Sequence, residues 1–195
     1  LYYIKYKLVD SDQNIIIATT RPETMFGDTA IAVHPKDQRY KELVSKEVII
    51  PISNRKIKII TDDYADPDQG SGAVKITPAH DFNDYLVGKR NKLDLINILN
   101  KDGTLNGNVP NDYQNIDRLD ARKKLISELE QKKYLDKIED INHTVPYGDR
   151  SNSVIEPLLT EQWFVDAKKL SKKAIKQVKQ KNKNFFPDNW KKTYF

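Results

Sequence analysis

The sequence predicts an α+β fold with a sheet or barrel core and helices inserted between its strands. Three observations carry this. Short runs of alternating or continuous apolar residues dominate the N-terminal half. Helical spacing is sustained over several turns only in residues 117–134 and again after residue 166. Strands and helices do not alternate regularly, which argues against a doubly wound parallel sheet.

The elements follow in order. Residues 3–9 alternate, with Ile4, Tyr6 and Leu8 on one face of a strand. Residues 10–14 carry turn chemistry. Residues 15–18 read as a buried strand, paired with the first as a hairpin. Thr19-Thr20-Arg21-Pro22-Glu23-Thr24 comes next, and Pro22 ends strand pairing. Three hydroxyls and a guanidinium directly after a buried strand are placed to line a pocket. The plainer reading is a polar turn, with Glu23 and Thr24 opening a helix. Residues 25–33 return to apolar character through Gly27-Asp28, and residues 35–44 have room for a short helix. Residues 48–52 and 56–60 read as two strands around the Ser53-Asn54 turn, and residues 61–69 as an acidic loop.

The stretch from Gly70 to Tyr85 organises the rest. It reads as a glycine turn, a short strand, a stop at Pro78 and a helix running to about Gly88. Lys75 and Thr77 are two apart and share a strand face, while Val74 and Ile76 face the other way. Asp81 and Asp84 are three apart and share a face of the first helical turn. A cation, a hydroxyl, the His80 imidazole and two carboxylates thus meet at one strand-to-helix junction. The plainer reading is that Asp81 caps the helix and Asp84 complements its positive end.

Residues 95–99 are expected to form a strand and residues 105–115 a loop. Residues 117–134 form the clearest helix, with Asp117 as N-cap and Leu119, Leu125, Ile126 and Leu129 on its apolar side. Residues 145–150 read as a polar turn and 154–165 as mixed strand and loop. Ala167, Leu170, Ala174 and Val178 outline an amphipathic helix with lysines on its other faces, stopped at residues 182–184. Phe185, Phe186, Trp190, Tyr194 and Phe195 make an aromatic end.

Composition bounds the function. The 195 residues carry a net charge of +5, with 31% charged and 38% hydrophobic residues. Residues 166–192 hold ten Lys against two Asp, so the body is mildly acidic and the C-terminal segment strongly basic. Such asymmetry suits a polyanion such as RNA, or a solvated helix face. No apolar run is long enough to span a membrane, and no signal-peptide pattern is present. Cysteine is absent, which fits a reducing compartment, and a cytoplasmic location is expected. His34 and His143 lie far from ligand spacing to His80, so no metal site is expected. There is no glycine-rich phosphate loop, and no cysteine or serine-centred elbow to act as nucleophile.

Two stretches together carry a family resemblance. Ala18 to Thr24, with Gly27-Asp28-Thr29, resembles the threonine-rich motif of the editing domain inserted into class I aminoacyl-tRNA synthetases. Gly70 to Asp84 resembles that domain's second motif. Lys75-Ile76-Thr77-Pro78-Ala79-His80-Asp81, Val87-Gly88-Lys89-Arg90, Val145 to Arg150, Ile155-Glu156-Pro157-Leu158 and Gln162-Trp163-Phe164-Val165 look like the valyl branch. The likeness covers nearly the whole chain, whose two ends look like the points where the insertion leaves and re-enters a catalytic domain.

The resemblance implies a β-barrel-like editing domain over residues 1–165. Residues 166–195, the basic amphipathic helix and aromatic tail, would lead back to that catalytic domain. The implied activity is hydrolysis of threonyl-tRNA(Val) by a monomer, with the tRNA(Val) acceptor end and the rest of the synthetase as partners. No cofactor is implied for editing, since ATP and Mg²⁺ serve the synthetic site. Asp84 matches the position that holds the α-ammonium. Arg21, Thr24, Lys75, Thr77 and Asp81 match the amino-acid pocket or the terminal-adenosine contacts, and Thr19 and Thr20 the wall that orients substrate and water. Lys75, Asp81, Asp84 and Thr20 are thus the candidate catalytic residues. His80 is a further substrate-binding candidate, as general base or structural residue. The chain departs from the pattern at Ser71, where the family usually has Thr, and at Gln69, often aromatic. It also lacks the cysteine pair that binds zinc near residues 148–151 in some relatives. An isoleucyl- or leucyl-type editing domain, a noncatalytic tRNA-binding module and a metal-dependent hydrolase using His80-Asp81 are the competing readings.

Overall fold

β1 (Tyr2–Leu8) and β2 (Asn14–Thr19) form the antiparallel hairpin that the alternation predicts, with Tyr6 opposite Ile15 and Ile4 opposite Ile17. The computed structural model describes residues 1–180 and 185–194. Ile4, Tyr6 and Leu8 are buried together, as the two-residue period of a strand requires. β3 (Ala30–Val33), β4 (Glu47–Ile49), β5 (Lys56–Thr61) and β6 (Ala73–Ile76) extend the sheet in the order β2-β1-β4-β5-β3-β6. Only β3 and β5 pair in parallel along this path. Its two ends, β2 and β6, lie side by side without sharing a ladder, so the sheet curls into a nearly closed barrel.

Helices are inserted as the α+β reading expects. α1 (Phe82–Asn91) starts at Asp81, whose carboxylate accepts from the backbone N–H groups of Asn83 and Asp84. α2 (Arg118–Gln131) starts at Asp117, which accepts from Leu119 N–H at 2.8 Å. Its buried face is Ala121, Leu125 and Leu129, spaced by four. Leu119, expected on that face, is 42% exposed, because it lies about a third of a turn from the buried arc. These residues join one large apolar cluster with Ile4, Tyr6, Phe26 and Ile59.

Three expectations are corrected, and one strand is added that none of them included. Residues 95–99 form no strand; only Leu99 bridges to Leu105. Their backbone groups are satisfied by side chains instead. Ile98 N–H donates to His80, and Asn106 and Asn108 donate to the Asn97 carbonyl. Residues 154–165 likewise hold a single bridge, Tyr147 to Val154, and no strand. The helix expected within 35–44 is one 3-10 turn, Lys41–Leu43. β7 (Leu135–Ile138), a short polar strand, adds to the edge of β1 where sequence gave no sign of it.

The chain divides into two compact units, residues 1–159 and the part from Thr160 onward. The second contains α3 (Ala167–Lys179), capped by Asp166, and α4 (Trp190–Tyr194). No α3 residue is buried, and Leu170 of its apolar stripe is 68% exposed. The expected helix stop at residues 182–184 and the aromatic Phe195 lie outside the described residues. Among the described residues no helix is long and apolar enough to cross a membrane.

One close approach holds α1 against the end of β6. A Cβ at Gly88 would stand 2.7 Å from Pro78 Cγ and 2.9 Å from its Cβ. Gly88→Ala is therefore expected to cost about 1–3 kcal/mol by overpacking, read as a lowered thermal midpoint. An unchanged midpoint would show that α1 has room to move off Pro78.

Candidate active site

The site is built where β2 and β6 end. The 3-10 turn Pro22–Gly27 follows β2, and Pro22 starts it, as proline favours a first helical position. This turn brings Thr24 and Asp28 under the side chains of β6. Lys75 Nζ donates to Thr24 Oγ1 (2.7 Å), Thr77 Oγ1 (2.6 Å) and Asp28 Oδ1 (3.0 Å). Thr77 Oγ1 in turn donates to Asp28 Oδ1 at 2.7 Å, and Tyr6 OH donates to Asp28 Oδ2 at 2.8 Å. The shared strand face of Lys75 and Thr77 is thus real, but it faces a buried carboxylate 47 residues away. Burial pushes the Asp28 carboxyl up, and Lys75 and the two hydroxyls draw it back. Burial and the Asp28 charge push the Tyr6 phenol well up, so it stays a donor.

Asp84 is different. It is buried, and its Oδ2 accepts from Thr77 N–H at 2.8 Å. Burial raises its pKa to about 6, against the opposing pull of Lys75 and the Thr77 N–H. The ammonium of Lys75 is already shared among three acceptors, so Asp84 has no cation bonded to it among the described residues. Asp81 realises its capping reading through Oδ1, at 2.8 Å from Asn83 N and 3.1 Å from Asp84 N.

His80 is turned inward. Its Nε2 accepts from Ile98 N–H at 2.9 Å, so the neutral ring carries its proton on Nδ1. Nδ1 faces the Pro157 carbonyl without meeting the geometry of a hydrogen bond. Burial, with Arg21 and Lys75 nearby, lowers its pKa to about 4, so it is neutral at physiological pH. Arg21 spans the turn: Nη1 donates to the His80 carbonyl at 3.0 Å, and Nη2 binds Glu156. Its backbone N–H donates to Thr19 Oγ1 at 3.1 Å.

These groups line one open cavity of about 930 Å³ in the first unit. The stretch after β2 contributes Thr19, Thr20, Arg21 and Thr24 to its lining. β6 and the turn into α1 contribute Lys75, Thr77, His80, Asp81 and Asp84. The structure therefore brings every candidate residue to one place. Gln69 and Gly70 lie at the rim, where a Cβ on Gly70 (φ +59°) would stand 2.7 Å from that of Ala18. Ser71 pins the turn, its hydroxyl donating to the Ala73 carbonyl at 3.2 Å. Among the described residues, no group of three or more His, Cys, Asp or Glu could hold a metal ion.

Sequence reasoning gave no role to Asp28, Tyr6 or Glu156. Asp28 had a signal, being the one charge in the apolar run of residues 25–33. Glu156 had none that linked it to Arg21.

Comparison with known proteins then decides the family. A family model described as "Leucyl-tRNA synthetase, editing domain" matches residues 42–141, just over half of the chain. The chain belongs to the aminoacyl-tRNA synthetase editing-domain family. Within it, the whole chain aligns with the editing-domain region of valine–tRNA ligases. The ligase of Pelagibacter ubique (strain HTCC1062) is 62% identical over 195 residues, which is 100% of this chain and 22% of that protein. The ligase of Thermotoga maritima is 50% identical over 194 residues, with the same coverage of this chain and of that protein. The chain thus spans about a fifth of these relatives' length. Among solved structures, GlLeuRS-CP1 is 13% identical with a TM-score of 0.57, covering 72% of this chain and 99% of that one. The Agrobacterium radiobacter K84 LeuRS, solved with tRNA and LeuAMS, is 21% identical with a TM-score of 0.56, covering 68% and 19%. Both share the fold of this editing domain.

The Lys75–Asp28 pair predicts its own energetics. Lys75→Met leaves Asp28 buried without its cation and is expected to destabilise the editing domain by about 3–5 kcal/mol. Adding Asp28→Asn should recover a large part of that loss in chemical denaturation. Strictly additive losses in the double variant would show that the two groups are not coupled.

Proposed function

We propose that this editing domain hydrolyses the ester of threonyl-tRNA(Val), clearing threonine misattached to the tRNA. The observation that carries the reading is Asp84, a buried carboxylate that lines a cavity and has no cation bonded to it among the described residues. Burial makes its charged form costly, and an arriving α-ammonium relieves that cost. Lys75 does not compete, because Asp28, Thr24 and Thr77 hold it. The family supports the reaction class, and the identity to valine–tRNA ligases supports the substrate.

The polar walls suit threonine. An apolar synthetic pocket distinguishes valine from threonine by only about a hundredfold, valine–tRNA ligases being the standard example. A second site must bind the hydroxyl and leave polar groups unpaired when valine enters. Asp81 has one oxygen committed to the α1 cap, and its second oxygen accepts the threonine hydroxyl in this reading. Asp84 binds the ammonium. Thr20 orients the attacking water, and Arg21 supports the terminal nucleotide. Thr19 shapes the turn through Arg21 N–H.

Two candidates change role in this reading. His80 is structural, because Ile98 N–H occupies the lone pair a general base needs. Lys75 acts indirectly, holding Thr24 and Thr77 in place. An aminoacyl ester is already activated, so positioning and a charged, partly dry wall suffice without a covalent nucleophile. The proposed step needs neither ATP nor metal, and the tRNA(Val) acceptor end is the partner.

The test is hydrolysis of threonyl-tRNA(Val) against valyl-tRNA(Val), with chelator present. Cleavage of the threonyl ester alone is expected; cleavage of neither by the folded chain, or loss of activity to chelator, overturns the reading. Asp84→Asn should lower kcat/KM by about 30- to 1,000-fold, the cost of removing one side of a buried charge pair. In the parent, kcat/KM should fall about tenfold per unit once pH drops below about 6, as Asp84 takes up its proton. The stability sign is opposite. A raised carboxylate pKa means the folded state holds the proton more tightly, and that advantage is lost as pH rises from the normal range through about 6. Asp84→Asn should therefore be more stable than the parent above that pH, by on the order of 1–3 kcal/mol, with little difference at pH 4.

A further inference from the structure

We infer that Glu156 is a positioning residue for the proposed deacylation, holding the Arg21 guanidinium against the cavity wall. The inference rests on the editing reading above for its catalytic consequence, but its geometry stands alone. Glu156 belongs to a stretch, residues 141–159, that carries no strand or helix beyond the Tyr147–Val154 bridge. From there its side chain reaches a residue 135 positions away, binding Arg21 Nη2 through Oε2. Its other oxygen forms an ion pair with Arg118, 3.2 Å from Nε. Arg118 itself is fixed at the start of α2, and its Nη2 donates to the Val154 carbonyl at 3.4 Å. Leu158, two residues on, packs against the main apolar cluster.

Each link has a physical task. Arg21 is a long side chain with much rotamer freedom, which two fixed acceptors at its two Nη atoms remove. One acceptor is the His80 carbonyl, at the start of the Asp81–Asp84 turn. The other is Glu156. The Arg21 Nε atom is buried with no hydrogen-bond partner among the described residues, so the two Nη contacts aim the group. Two guanidinium groups share one carboxylate, so the cluster keeps a net positive charge beside the cavity. That sign suits the phosphate and ribose of a terminal nucleotide. Without Glu156, Arg21 keeps its charge and loses its direction.

The experiment compares Glu156→Ala, Glu156→Gln, Arg21→Ala and the Arg21→Ala/Glu156→Ala double variant in the 195-residue chain. It reads steady-state deacylation of threonyl-tRNA(Val) and the ¹H–¹⁵N signal of Arg21 Nε–H. Glu156→Ala is expected to raise KM about 10- to 100-fold with kcat changed less than about threefold, and the double variant to be no worse than Arg21→Ala. Glu156→Gln, whose amide oxygen still accepts from Nη2, should return KM to within about threefold of the parent. The slowly exchanging Nε–H signal should be lost in Glu156→Ala and kept in Glu156→Gln. An unchanged signal in Glu156→Ala overturns the positioning role, as do additive effects in the double variant. A parent that cleaves no ester overturns the editing reading instead, and the Arg21 signal then tests the geometry by itself.

Discussion

The buried pair of Lys75 and Asp28 is the constraint on which the rest of the site depends. It joins β6 to the 3-10 turn after β2, and through Tyr6 to β1. Two charges withdrawn from water are costly unless every remaining donor and acceptor is met. Here all three Lys75 protons are met, and Asp28 accepts from a lysine, a threonine and a tyrosine. The arrangement also neutralises the cation that sequence alone would have placed in the cavity. Lys75 lines the cavity with its ammonium already engaged, and the hydroxyls of Thr24 and Thr77 beside it are fixed in orientation by that ammonium.

The consequence appears at Asp84. With Lys75 committed elsewhere, Asp84 keeps a negative charge that burial disfavours. In the proposed reading stability and function pull in opposite directions there, since the charge that burial disfavours is the one that would hold an α-ammonium. The same reasoning separates the two aspartates three residues apart. Asp81 Oδ1 accepts from two helix N–H groups, whereas Asp84 Oδ2 accepts from the Thr77 N–H and no cation is bonded to it among the described residues.

How much of this was legible in the sequence depended on distance along the chain. The hairpin, the Asp81 and Asp117 caps and the common face of Lys75 and Thr77 are local facts, fixed by periods of two and 3.6. Residues 95–99 misled because a run of Leu and Ile has the pattern of a strand. Its backbone is instead satisfied by His80 and by Asn106 and Asn108, which only the folded chain brings near. β7 was invisible for the converse reason, since a polar Leu-Asp-Lys-Ile segment becomes a strand only when the β1 edge is beside it. The site residues were legible as a set through two motifs, and their partners were not. Lys75 finds Asp28, and Arg21 finds Glu156, across separations that no local pattern encodes.

The barrel's incomplete closure explains why the cavity lies where it does. Among the described residues β2 pairs only with β1, and β6 only with β3, so each presents an edge without a partner strand. Full pairing of the two would have covered the backbone between Thr19 and Thr77 and left no room for a ligand. Instead Ala18 of β2 meets Gly70, in the turn before β6, where the absence of a Cβ permits the approach. The polar residues of the first motif follow Ala18 directly, and those of the second come later, from Lys75 to Asp84. An open edge is ordinarily a liability that a protein must cover or blunt. Here Thr20, Arg21, Asp81 and Asp84 line a common cavity beside that seam, so the edge that fails to close the sheet is also the one that leaves room for a ligand.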